Sequence, residues 1–480
     1  MIEYDVVIIG GSPAGRYAAI AATKLGATVA LVEPMLSAGV SSAIAPHALS
    51  QIGQIAQQIN HASQFGIHSP LVVTAGSELM QWAETTQWAT GVSSNLEEQS
   101  SPAVLASLGV DVIIGGGQFY RSPHLTFVIN GRSLRARAYL LATSYCPAIP
   151  DIEGLRTVGY LTVTDIWQQL CQKPSKRWVI LGSDPVGIQI AQTMTRLGCN
   201  VTLIIKPSYI LPQEDDAAAQ LVQATLEVEG VLLLAGASVT RVWQIQDKKL
   251  IQVGDEIVET DEIVLATGQI SNIKSLNLEA VGVKLHRRGL LLNEKLQTTN
   301  PRIYACGDAN SAYHANIANY EANIALKNAL FFPFFKVDYR SIPWAIFSDP
   351  VLARVGLTEV QARDKYSTKQ ILVLQQYFKA TTAAQLRDNM TGMCKLIVLR
   401  NGEILGATLV GPQAGELIQT IALAMRQKLK VSAIADLSPI YPTLSEILEQ
   451  TAATWNQQRL TRNTRLQGFL ENFFNLRRWS

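Results

Sequence analysis

The chain has 480 residues, enough at about 150 residues per domain for about three domains with large buried cores. Its 40 Lys and Arg against 38 Asp and Glu give a net charge of +2, which supplies no basic field for gripping a phosphate backbone and argues against nucleic acid as a partner. Hydrophobic residues make up 48% and charged residues 16%, a globular composition, and no run approaches the roughly 18 uninterrupted apolar residues of a membrane-spanning helix.

The chain opens on the acidic Met1-Ile2-Glu3-Tyr4-Asp5 and enters an apolar strand directly, whereas a secretory signal needs a basic start and a longer apolar stretch; a cytoplasmic location is the expectation. From Tyr4 to Glu33 the pattern is apolar strand, glycine-containing turn, small-residue helix, second strand, and it recurs from Arg177 to Lys206. Each stretch reads as the βαβ start of a dinucleotide-binding domain, and the repetition is far more specific than one glycine motif. Between them, Leu134 to Pro150 reads as a strand ending in a Pro-punctuated crossover, and Glu262–Gln269 closes the second unit in the same way. An apolar strand then runs into a Gly307-Asp308 turn. From about Ile342 short alternating strands precede a helix from Ala414, the pattern of an α+β domain.

In the first turn, Gly10, Ser12, Ala14 and Gly15 stand where free N–H groups and the positive helix end suit a pyrophosphate, and Glu33, at the end of the second strand, suits a ribose hydroxyl pair. Ser12 occupies the middle glycine position, a small neutral side chain that can itself donate a hydrogen bond. With Gly117 of the Gly115–Phe119 segment, Thr143 and the Tyr304–Asp308 turn, this order of elements resembles the flavoprotein family of lipoamide dehydrogenase, glutathione reductase and mercuric reductase, nearest the mercuric-reductase branch, over residues 1 to about 455. The resemblance implies FAD as cofactor, Asp308 on its ribitol, and backbone near Ala315 facing the flavin ring. It also implies an α/β fold of two Rossmann-type dinucleotide-binding domains plus a C-terminal α+β dimerisation domain, and a homodimer. The expected division is 1–150 and 271–341 for the FAD-binding domain, 151–270 for an NAD(P)-binding-like domain, 342–455 for dimerisation, and 456–480 for a basic aromatic tail.

The chain departs from that family where its chemistry resides. The paired redox cysteines of the disulfide reductases fall on Gly39 and Ile44, and no cysteine precedes Cys146. The acid–base histidine falls on Tyr441, and the last histidine is His314, which leaves Glu446 to a structural role. The five cysteines (Cys146, Cys171, Cys199, Cys306, Cys394) show no metal-ligand or disulfide spacing, so no metal site is expected, and the turn at Cys306 favours a small residue rather than a reactive thiol.

The second turn reads Gly182-Ser-Asp184-Pro-Val-Gly187. A carboxylate about 4 Å from a phosphate costs up to ~4 kcal/mol at an effective dielectric of 20, which opposes NADPH binding. A Lys–Glu pair of the family is replaced by Ala48 and Gln189, while Lys206 is either the cation that faces a 2′-phosphate or a solvated strand-end lysine. His47 is either a replacement proton donor or a loop histidine. The aromatic run Leu330–Phe335 reads as core.

In the tail, Arg459, Arg462, Arg465, Arg477 and Arg478 face one acid, Glu471, and Leu466, Phe469, Leu470, Phe473 and Phe474 recur at helical spacing. Such a helix suits an anionic membrane surface, a protein partner, or its own dimer. The expected function is an FAD-dependent oxidoreductase without a redox-active disulfide, passing electrons to a non-disulfide acceptor such as a quinone or a protein redox partner; the alternative is a non-catalytic FAD-bound scaffold or redox sensor.

Overall fold

The computed structural model describes residues 2–34, 39–67, 81–121, 123–166, 175–286, 289–310, 314–462 and 464–479. Cys171 lies outside them. By its internal contacts the chain forms two units, Met1–Lys206 with Gly230–Val337, and Pro207–Glu229 with Asp338–Ser480.

The first unit contains two five-stranded sheets. One runs in the order Ile303–Ala305, Ala136–Leu141, Tyr4–Ile9, Val29–Glu33, Asp111–Ile114, all parallel. Its central strands are continuous apolar runs, Val6 to Ile9 and Val29 to Val32 being almost wholly buried, because helices or loops cover both faces. Helix Pro13–Lys24 starts at Ser12 with proline in its first turn, the placement that sacrifices no needed N–H. Its buried stripe of Ala14, Ala18 and Ala22 packs in one core with Ala318, Ala322 and Ala325 of helix Ala315–Leu330; small side chains let the two helices approach closely.

The second sheet repeats the arrangement: Leu232–Leu234, Asn200–Ile204, Arg177–Leu181, Glu262–Leu265, Leu161–Thr162, again parallel. Helix Pro185–Arg196 follows its central strand as Pro13–Lys24 follows the first. The expected buried run at 330–335 is overturned. Phe331, Phe332, Phe334 and Phe335 are exposed, Phe334 at 77%, because the helix ends at Leu330 and Pro333 carries the chain away as an irregular loop.

The second unit is built on an antiparallel sheet, Trp344–Ile346, Val351–Gly356, Ile404–Gly411, Met393–Leu399, Ile371–Tyr377. Helices Ala414–Arg426 and Glu446–Arg462 cover it, with Phe378, Leu396, Ile418, Ile447 and Trp455 in the shared core. Tyr441 is exposed. Glu446 is buried and accepts from the Thr443 N–H at 2.9 Å, so it caps the last long helix of the core.

Within this unit two ion pairs are sealed from water. Arg354 Nε meets Glu214 Oε2 at 2.9 Å, and Lys395 Nζ donates to both oxygens of Asp215 at 2.8 and 2.9 Å, with Glu359 at 3.4 Å. They tie the loop before helix Asp216–Glu229 to the sheet. Removing one partner strands a buried charge. Lys395→Met is therefore expected to lower unfolding free energy by about 3–5 kcal/mol, and Lys395→Met with Asp215→Asn to recover more than half, as read by urea denaturation. A loss below ~1 kcal/mol in the single variant would show that the pair is not holding the loop.

Candidate functional site

Strands of a parallel sheet all end on the same edge, and the candidate residues gather there. Ala142 N donates to Ile9 O, Gly10 N to Val32 O, Gly115 N to Glu33 O and Cys306 N to Leu141 O. Each bond continues the ladder past the end of its strand, so the Gly10 turn, Glu33, Thr143 and the 306–308 turn are brought together from four strands at the carboxyl edge, where open α/β sheets bind their ligands.

Gly10 has φ +116°, and a Cβ there would stand 2.2 Å from Ala142 O and 2.5 Å from Thr143 N. Only glycine permits this approach. Gly15 is under the same constraint, since its Cβ would meet Gly10 O at 2.1 Å. Ser12 Oγ accepts from Gly15 N at 3.3 Å, capping the helix while its proton stays available to donate. Ala14 is buried, and a Cβ on Gly307 (φ +61°) would lie 3.4 Å from that of Ala14, which seats the Gly307-Asp308 turn over the helix start. Glu321 accepts from Gly307 N at 2.8 Å and Ser271 Oγ donates to Asp308 O at 2.8 Å, pinning the turn. Burial raises the Asp308 carboxyl to about 7, with the Glu321 charge adding to the effect.

Two buried polar atoms at this edge, Thr143 Oγ1 and Glu33 Oε2, have no partner among the described residues. An unsatisfied buried oxygen is costly, so each fits a group supplied by a ligand. The glycine cradle at residue 10 and the helix N-terminus beyond it fit a dinucleotide pyrophosphate. The residues present therefore fit FAD. Gly117 answers to packing: a Cβ there would stand 2.4 Å from the Phe127 ring and 2.6 Å from Val128 O. Ala315 is the first residue of helix Ala315–Leu330, which begins without a side-chain cap from His314.

Arg16 is a site residue that sequence reasoning passed over. It is buried and donates from Nη2 to Glu33 Oε1 at 2.5 Å, from Nε to Gly11 O at 3.1 Å and from Nη1 to Ser100 O at 3.2 Å. The guanidinium fixes Glu33 and compensates its charge, leaving the other carboxylate oxygen for a ligand. The signal in the sequence was a lone long cation in a helix face of alanines. Tyr145 is a second such residue. Its phenol is pushed up to about 12 by burial, with the charges of Asp308 and Asp184 adding to the effect.

The second turn repeats the first in backbone and differs in charge. A Cβ on Gly182 (φ +108°) would meet Ala266 O at 2.1 Å, and one on Gly187 the Ala266 Cβ at 2.2 Å. Asp184, however, turns back onto the helix and accepts from Val186 N at 3.0 Å. Its carboxylate occupies the anion position at the helix N-terminus. Burial raises its pKa. Gln189 donates from Nε2 to Pro46 O at 3.2 Å and lies 3.1 Å from His47 Nδ1. In that arrangement Nδ1 accepts and Nε2 carries the proton of the neutral ring. Although His47 has an exposed edge, the protein around it lowers its pKa. Lys206 is exposed, just beyond strand Asn200–Ile204.

Three of the described thiols are withdrawn from chemistry, while Cys146 is half-buried. Burial raises Cys306 well above the ordinary thiol range, and both Cys199 and Cys394 to about 12. Among the described residues no cluster of His, Cys, Asp and Glu is placed to hold a metal ion, and no helix is long and apolar enough to cross a membrane.

Comparison with known proteins agrees with this geometry. The sequence pattern of the pyridine nucleotide-disulphide oxidoreductases matches residues 4–324, and that of their dimerisation domain matches residues 342–452. Mercuric reductase of Staphylococcus aureus is 31% identical over 95% of this chain and 83% of its own length, and dihydrolipoyl dehydrogenase of Bacillus subtilis is 29% identical over 93% and 97%. Among solved structures, LpdA of Mycobacterium tuberculosis superimposes with a TM-score of 0.83 over 94% of this chain and 99% of its own, at 23% identity. The HOCl-induced flavoprotein disulfide reductase RclA of Escherichia coli gives 0.80 over 94% and 99%, at 24% identity. These two likenesses speak to the fold alone. The family uses FAD with NAD(P)H as electron donor, and its dimerisation domain, present here, supports a homodimer. A paired-turn α/β core joined to that dimerisation domain, with both sequence patterns matched, makes this chain a member of the pyridine nucleotide-disulphide oxidoreductase family.

Proposed function

We propose that this protein is an FAD-dependent oxidoreductase that works without a redox-active disulfide and delivers electrons to an acceptor that meets the flavin directly, such as a quinone or a protein redox partner. The observation that carries the reading is the placement of sulfur: no cysteine precedes Cys146, which is half-buried, and among the other described cysteines Cys199, Cys306 and Cys394 are buried with raised pKa values. When bound, FAD supplies a carrier that takes a hydride and returns two electrons. In this reading Gly10, Ser12, Ala14 and Gly15 cradle its pyrophosphate, and Glu33 Oε2, held by Arg16, takes a ribose hydroxyl. Thr143 and Asp308 hold the ribitol side, and the start of helix Ala315–Leu330 faces the ring. Gly117 supports the site by admitting Phe127.

The Asp184 carboxylate supports a second reading, a non-catalytic FAD-bound scaffold or redox sensor. It satisfies the helix N-terminus that would otherwise receive the nicotinamide dinucleotide's phosphates. Anaerobic titration of the purified protein with NADPH and with NADH separates the two. Bleaching of the flavin within the mixing time supports the oxidoreductase, and an unchanged spectrum that bleaches only with dithionite supports the scaffold.

Asp184→Gly is expected to tighten NADPH binding at least tenfold, within the ~4 kcal/mol upper bound of a carboxylate facing a phosphate. Glycine at an N-cap costs only a few tenths of a kcal/mol. Isothermal titration gives the two affinities, and equal values would remove the charge argument. The affinity of apoprotein for FAD is also expected to depend on pH through Asp308. A carboxylate accepts from a ribitol hydroxyl more strongly than a carboxylic acid does, and the free site holds its proton up to about 7. Binding must then expel that proton below about pH 7, so affinity rises from about pH 6 to about pH 8 and levels above it. Flavin fluorescence quenching measures this, and Asp308→Asn should flatten the profile; an undiminished slope in that variant would place the titrating group elsewhere.

A further inference from the structure

We propose that helix Thr464–Trp479 lies on the surface of an anionic lipid bilayer and holds the protein there. Charge is the first argument. Residues 456–480 hold five arginines and one acid, Glu471, and the rest of the chain holds 35 basic against 37 acidic residues. The whole positive excess of the protein therefore resides in its last 25 residues.

Geometry is the second. On a helix turning about 100° per residue, Phe469, Leu470, Phe473, Phe474 and Leu476 fall on one half together with Arg477, and Gln467, Glu471, Asn472 and Asn475 on the other. That apolar half is open to solvent: Phe469 is 64% exposed and Leu476 75%. The rings of Phe469 and Phe473 stack with centroids 6.4 Å apart, and Phe474 meets Phe473 edge-on at 5.7 Å, so the face is a continuous ridge rather than scattered side chains. Arg477 lies over the Phe473 ring at 6.0 Å. By the same rotation Arg478 borders the ridge, where its guanidinium reaches phosphate head groups while the rings enter the acyl boundary.

The alternatives fit less well. The match to the family's dimerisation domain ends at residue 452, before this helix begins. A protein partner would explain the aromatic ridge, but five arginines against a single acid in residues 456–480 complement a sheet of phosphates more directly. The proposal is independent of the flavin chemistry and is tested without it.

The experiment is sedimentation of the full-length protein with vesicles of phosphatidylglycerol and phosphatidylcholine, and with phosphatidylcholine alone. The protein should sediment with the anionic vesicles, at least tenfold more weakly with the neutral ones, and progressively less as salt rises above ~0.1 M. Phe469→Ser with Phe473→Ser, and separately Arg477→Glu with Arg478→Glu, should each reduce binding at least tenfold while leaving the mass in gel filtration unchanged. Failure to sediment with anionic vesicles, which would leave a protein partner as the occupant, overturns the proposal. So does binding indifferent to both variants, or a change of oligomeric mass that places the ridge between copies of the chain.

Discussion

The structure of the first unit depends on one close approach, the backbone of Gly10 against Ala142 O. A side chain there would need to sit 2.2 Å from a carbonyl oxygen, and the φ of +116° is one that other residues avoid. Because the approach is allowed, the loop after strand Tyr4–Ile9 closes tightly, helix Pro13–Lys24 starts against the sheet, and Thr143 lies at its mouth. The Gly307-Asp308 turn then rests on Ala14 through a second small-residue contact. A ligand site made from strands more than a hundred residues apart in sequence thus rests on Gly10, where no Cβ fits, and on Gly307, whose φ of +61° favours glycine.

The same construction occurs twice with opposite electrostatics. At the first turn the middle position is the neutral Ser12, and the acid ending the second strand, Glu33, is paired with the buried Arg16. The helix end stays open to an anion. At the second turn the middle position is Asp184, whose carboxylate already bonds the Val186 N–H. An anion arriving there must displace or face it. Backbone geometry is alike at Gly10 and Gly182, so side-chain charge, rather than fold, separates the two turns.

Much of this was legible from the sequence. The two βαβ starts, the acid at Glu33 and the Gly307-Asp308 turn are local patterns, because glycine positions and apolar runs report directly on tight turns and buried parallel strands. Arg16 was not legible: its partners Glu33 and Ser100 lie 17 and 84 residues away, and only the folded sheet edge joins them. The inward turn of Asp184 was equally hidden, since sequence gives its charge but not its rotamer. Phe331 to Phe335 misled for a different reason. Hydrophobicity predicts burial on average, whereas these rings follow a helix end and a proline that leave them outside the core. Glu446, read from the sequence as structural, is buried and accepts from the Thr443 N–H.

The proposed flavin site without a sulfur relay stands or falls on how many electrons the holoprotein takes up. Anaerobic titration of the purified holoprotein with dithionite should reach its endpoint at two electrons per FAD, because a flavin takes two and no dithiol beside it takes more. An endpoint of four electrons per FAD would reveal a second two-electron centre in the chain and contradict the account.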